Sequence, residues 1–133
     1  MKNICRTLLL VLTFVLVLSF ASCKEEKTPY TDDLAKAKLT EIVNILQRGE
    51  HVHTEDYVYG MTEDEFEPVG KAISDVVGKD NSYEIIHVET TEATDDDSNL
   101  VHFAKFTIKL NNKSVNVTVL FVDGDNTIYS VKL

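Results

Sequence analysis

The hydrophobic period of this chain changes once, near Ser82, and that change constrains the fold more than any other feature. From Thr31 up to it, apolar residues recur every three to four positions. After it, they alternate with polar ones. A chain with that order must fold its helices first and then build a sheet whose apolar face the helices cover. The first helical stretch begins near Thr31 or Asp32. Thr31 can accept orphan backbone N–H groups, and Asp32 and Asp33 suit the positive end of the helix dipole. Ala35, Leu39, Ile42 and Leu46 form its stripe, widened by Val43 and Ile45, and Arg48-Gly49 ends it. Residues 50–61 fit a short helical turn or an irregular loop. Thr62 to Glu65 has the spacing of a capping box, leading into the stripe Phe66, Val69, Ile73 and Val76 or Val77, closed by Gly78. Pro68 conflicts with this helix. It implies either a kink or a separate capped turn before a main helix that starts at Pro68.

Beyond Ser82, residues 84–89 read as a strand. Leu100, Ala104, Phe106, Ile108 and Leu110 alternate with polar residues, as do Val115, Val117, Val119 and Phe121. Tyr129, Val131 and Leu133 make a final strand. Turn residues separate these runs: the acidic loop Thr94 to Asn99, then Asn111-Asn112 and Asp123-Gly124, both suited to tight turns. Short connections imply an antiparallel meander, so the fold class is α+β. Two to three N-terminal helices pack on one face of a curved four-stranded sheet.

The N-terminus carries a different signal. Lys2 and Arg6 precede an apolar run from Leu8 to Phe20, shorter than the roughly 20 residues of a spanning helix. Ala21 and Ser22 are small, and Cys23 follows. This segment resembles a bacterial lipobox, with Phe20 where Leu is usual. The resemblance implies signal cleavage before Cys23 and attachment of diacylglycerol and fatty acid (commonly palmitate) to that residue. Lys24-Glu25-Glu26 resembles the surface-export signal of some Gram-negative lipoproteins. The expected layout is a signal peptide over 1–22, a lipidated Cys23 with a tether to residue 31, and one domain over 32–133. The expected location is the outer membrane of a Gram-negative cell, facing outward.

Removing residues 1–22 from the 133 leaves 111, enough for one modest core. The net charge of −9 becomes −11, because the signal takes two basic residues and no acids. A surface of that sign repels nucleic-acid phosphate and anionic lipid, so membrane attachment is expected through acyl chains alone. Cys5 leaves with the signal and Cys23 carries lipid, which excludes a thiol nucleophile, a disulfide and a thiolate metal site in the mature domain.

The whole pattern over residues 33–133 resembles the nuclear-transport-factor-2-like (cystatin-like) α+β cone, and within it small envelope modules of unknown function. The resemblance is carried by Gly49-Glu50 at the helix end, the Tyr-containing segment 57–61, the acidic helix 62–78 and the Asp123-Gly124 hairpin. It implies a pocket between helices and sheet, used by some members for catalysis and by others for binding.

Residue chemistry points to no catalytic set. No phosphate loop, serine elbow or nucleophile–base pairing occurs. His51-Val52-His53, beside Glu50, Glu55 and Asp56, is the densest group of potential metal ligands. Its spacing implies no distant third ligand, so it reads as an exposed polar loop, and no metal or cofactor is expected. Asp95-Asp96-Asp97 and Asp123 to Asn126 match no calcium loop. His87 and His102 fall on adjacent strands and could lie side by side, although a one-residue slip would separate them by face. Both read as half-buried strand histidines. Tyr57, Tyr59, Tyr83, His87 and His102 are the weak candidates for a ligand site. The function expected from these readings is a non-enzymatic, lipid-anchored envelope module for a small ligand, a glycan or an envelope protein. The alternatives are a pocket enzyme with a His–carboxylate pair, and an envelope enzyme inhibitor.

Overall fold

The computed structural model describes residues 29–79 and 82–133. The signal segment, Cys23 and Lys24-Glu25-Glu26 lie outside them. Helix α1 spans Asp32–Gln47, the single turn α2 Thr54–Tyr57 and helix α3 Glu63–Val77. Strands β1 (Glu84–Thr94), β2 (Leu100–Leu110), β3 (Lys113–Val122) and β4 (Ser130–Lys132) follow. The sheet has the order β1-β2-β3-β4, antiparallel throughout, so the α+β meander is present.

Local chemistry accounts for the helix ends. The Thr31 side chain accepts the Leu34 N–H at 3.0 Å. Gly49, at φ 72°, lets the chain leave α1 while its N–H reaches the Leu46 carbonyl and Glu50 reaches that of Ile45. The capping box of α3 is formed both ways, Glu65 N–H to Thr62 Oγ1 at 3.2 Å and Thr62 N–H to Glu65 Oε2 at 3.1 Å. α3 then runs unbroken through Pro68. A proline there costs about 3 kcal/mol. The cap and the burial of Phe66, Val69, Ile73 and Val77 offset it, and Pro68 itself lies on the exposed side.

Of the two expected tight turns, one forms and one does not. Asn111 takes positive φ (54°) in a two-residue β2–β3 connection, as its residue type suggests. Asp123-Gly124 does not make a tight hairpin. It opens a loop over 123–129 in which Ile128 is fully buried and bridges Val58 in parallel. Tyr59 and Gly60 N–H groups bond the Ile128 and Tyr129 carbonyls, so the post-α2 segment is stitched to this loop. Tyr129 and Leu133 are therefore exposed, and Val131 alone of that trio enters the core.

The space between helices and sheet is filled. Leu39, Ile42, Val43 and Ile73 from the helices meet Phe106, Ile108, Val119 and Phe121 from the sheet, all with no exposed surface. Among the described residues no helix is long and apolar enough to cross a membrane.

Candidate functional site

The densest polar assembly lies where the N-terminus of α1 meets β1 and β2. It depends on an irregularity in β1. Between His87 and Glu89 the ladder shifts register, leaving Val88 as an extra, exposed residue. A bulge of one residue inverts the side-chain alternation beyond it. His87, Thr90 and Glu92 consequently share the helix-covered face with His102, Ala104 and Phe106. His87 pairs with Phe106, while His102 pairs with Glu92 on one side and Phe121 on the other. The two histidines thus share a face but do not lie side by side across the ladder. His87 is half-buried as expected, whereas His102 is buried.

Asp32, the first residue of α1, sits between them. Its Oδ1 accepts the Tyr30 hydroxyl at 2.9 Å and the Thr90 hydroxyl at 2.6 Å. Thr90 has one proton and gives it to Asp32, so the His87 Nε2 contact at 2.7 Å must be an N–H donating to Thr90. His87 Nε2 is also 3.5 Å from Asp32 Oδ1. A neighbouring hydroxyl, Tyr30, and a remote one, Thr90, thereby converge on one carboxylate oxygen.

Tyr30 also covers His102. The rings stack with centroids 4.0 Å apart and planes 11° from parallel, and the Tyr30 ring tilts onto Phe121 at 5.7 Å. His102 Nε2 stands 3.4 Å from Asp123 Oδ1, which also accepts the Tyr30 backbone N–H at 3.4 Å. His102 Nδ1 finds no hydrogen bond among the described residues, although Glu92 Oε1 is 3.5 Å away. Tyr30, Thr31, Asp32, Thr90 and Glu92 line an open cavity of about 470 Å³ on this ledge.

The electrostatics follow from these contacts. Asp32 is held below the ordinary carboxylate range, chiefly by the Thr90 hydrogen bond, with further help from Tyr30 and the two histidines; partial burial opposes this. The Tyr30 hydroxyl is pushed up to about 12, chiefly by burial and also by its bond to, and the charge of, Asp32, while Thr90 pulls the other way. At neutral pH the ledge therefore offers an ionised, half-exposed Asp32 and a protonated Tyr30. The carboxylates of Glu92 and Asp123 flank them.

The candidate tyrosines are placed elsewhere. Tyr57 packs partly buried against the core. The Tyr59 hydroxyl donates to Asp125, and its ring meets Tyr129 edge-on at 5.1 Å. Burial and Asp125 together push that hydroxyl up. The Tyr83 hydroxyl donates to Asn44 of α1, and burial pushes it up as well. Tyr83 lines a separate trough with Asn44 and Gln47. The five candidates therefore do not converge: the ledge takes His87 and His102 and adds Tyr30, Asp32, Thr90, Glu92 and Asp123. Asp95 is explained by its turn, since its Oδ1 accepts the Asp97 and Asn99 N–H groups at 3.0 and 2.8 Å. No family model, curated protein or solved structure matches this chain.

Proposed function

We propose that this protein is a lipid-anchored binding module of the cell envelope, of the nuclear-transport-factor-2-like (cystatin-like) type. It is held by acyl chains on Cys23 and carries Lys24-Glu25-Glu26 as an export signal to the outer surface. Its binding site in this reading is the Asp32 ledge, and its ligand is rich in hydroxyl groups, as a glycan is. The observation that carries the reading is Asp32 itself, a half-exposed carboxylate whose Oδ1 is fixed by the Thr90 and Tyr30 hydroxyls. Ionised carboxylates accept short, strong bonds from ligand hydroxyls. Asp32 and Glu92 line one open cavity beside Tyr30, and the Asp123 carboxylate stands next to it at His102. Binding is favoured over pocket catalysis because the interior between helices and sheet is occupied by Phe106, Phe121, Ile108 and Leu39. Each His–carboxylate pair lies at the rim instead of inside a closed chamber that would exclude water.

The anchor is tested by Cys23→Ala in the full chain. Incorporation of a labelled fatty acid should vanish, and the chain should no longer be processed. Unchanged labelling and processing would refute lipidation. The ledge is tested on a glycan array with the purified protein. Asp32→Asn and Glu92→Gln should abolish whatever binding the parent shows; retention of that binding by both variants would move the site elsewhere.

A further inference from the structure

At the other end of α1, three exposed side chains meet that no role above employs. His51 Nε2 lies 3.0 Å from Glu63 Oε1, and His53 Nδ1 lies 4.0 Å from the same oxygen. One ligand atom from each of the three residues falls within 4.8 Å of the others. The third ligand absent from the His-Val-His sequence motif is thus provided by the first residue of α3. We propose that His51, His53 and Glu63 form a binding site for a divalent transition-metal ion, with zinc as its reference occupant.

The donor set fits. Two imidazole nitrogens and one carboxylate oxygen suit zinc, and late first-row divalent ions generally prefer such nitrogen-rich sets to calcium-type oxygen cages. A tetrahedral zinc ion with bonds of about 2.0–2.1 Å holds neighbouring ligand atoms about 3.4 Å apart. The two histidine–Glu63 contacts of 3.0 and 4.0 Å bracket that spacing, and all three ligand atoms lie within 4.8 Å of one another, so closing the site calls for rotation of exposed side chains.

The backbone holds the ligands in place beforehand. Val52 is buried at 3 % exposure and fixes the segment to the core. In extended chain its two neighbours must then both point outward on the same side, as the exposure of His51 and His53 bears out. Their rings meet edge-on, with centroids 5.1 Å apart. Glu63 is fixed by the capping box formed by the residues around it, Thr62 and Glu65. The trough beside the site has a volume of about 520 Å³ and includes Glu50, Asp64 and Glu67 with the one cation Lys71, while Arg48 pairs Glu50. The acids still outnumber the cations, and that excess raises the local concentration of cations. Three protein ligands leave a fourth position open, toward water or a donor group of a ligand in that trough.

The test uses the full chain in detergent with Cys5→Ser and Cys23→Ser, so that no thiol competes and the outcome is independent of lipidation. Titration with ZnCl2 should show one strong equivalent, and Co²⁺ should give the intense visible bands of four-coordinate geometry. His51→Ala, His53→Ala and Glu63→Gln should each weaken zinc binding at least about tenfold, with an unchanged far-ultraviolet circular dichroism spectrum confirming the fold. His87→Ala, on the ledge, should leave zinc binding as it was. Failure to bind an equivalent of zinc would overturn the proposal. So would full-strength binding by the His51→Ala/His53→Ala double variant, or loss of binding on His87→Ala alone.

Discussion

The two ends of α1 carry the same residue types in opposite states. At its N-terminus, histidine, carboxylate and hydroxyl groups are knitted together: His102 is buried beneath Tyr30, and Thr90 links His87 to Asp32. About 24 Å away along a 16-residue helix, just past its C-terminus, His51 and His53 stand exposed around a single carboxylate oxygen. The difference teaches that identity and clustering do not define a role. A histidine enclosed by ring and carboxylate holds structure and orients its neighbours. One left outside, on an anchored backbone, meets a carboxylate in solvent and turns with it toward a cation.

This contrast is best broken by stability measurements. The largest effect should come from His102→Ala, which empties a buried site and removes a ring stack, at a cost of about 2–3 kcal/mol in urea unfolding. The His51→Ala/His53→Ala pair should stay within about 0.5 kcal/mol of the parent in the absence of metal. Equal losses at the two ends would end the distinction.

A smaller effect is expected from Tyr30→Phe, which keeps the stack and loses the hydroxyl bond to Asp32, costing about 1 kcal/mol. The same residue gives a pH signature. Its folded value is raised to about 12, so folding favours the neutral phenol. That contribution is complete below the ordinary tyrosine value of about 10 and is lost as pH climbs through about 12. Phenolate absorbance should show a late component near pH 12 that Tyr30→Phe removes.

Among the ledge variants the smallest effect belongs to Asp32→Asn, below about 1 kcal/mol at neutral pH because the side chain is half-exposed and well screened. Asp32 is depressed in the fold, so its contribution exists above the ordinary carboxylate value of about 3.9 and fades as pH falls through its lower folded value. Urea unfolding of parent and variant should converge over that acid range. A gap that persists would assign the effect to packing instead of charge.

Much of the architecture is legible from residue order because period and punctuation agree. The α1 and α3 stripes, the Thr62 capping box and the alternation in β2 and β3 all specify local structure without distant partners. What escapes is set by long-range geometry. The run Ile85-Ile86-His87-Val88 has no clean alternation, so nothing in it marks Val88 as the bulge that brings His87 and Thr90 to one face. Tyr30 belongs by composition to the tether, and only the fold puts its ring on His102. Ile128 sits beside turn residues, and its burial depends on Val58, seventy positions earlier in the chain. For the His51 corner, the third ligand is Glu63, which residue order marks only as a helix start. Spacing along the chain could not show that this start returns to the loop before it.

One consequence of the Tyr30 stack is mechanical. Tyr30 is where the described fold takes hold of the chain arriving from the N-terminal side, and its ring rests on His102 of β2 and Phe121 of β3. These are the inner strands, each hydrogen-bonded along both sides. Tension arriving from that side is thus delivered to the middle of the sheet and shared across three ladders. It does not peel the three-residue edge strand β4, which would be the weakest place to pull.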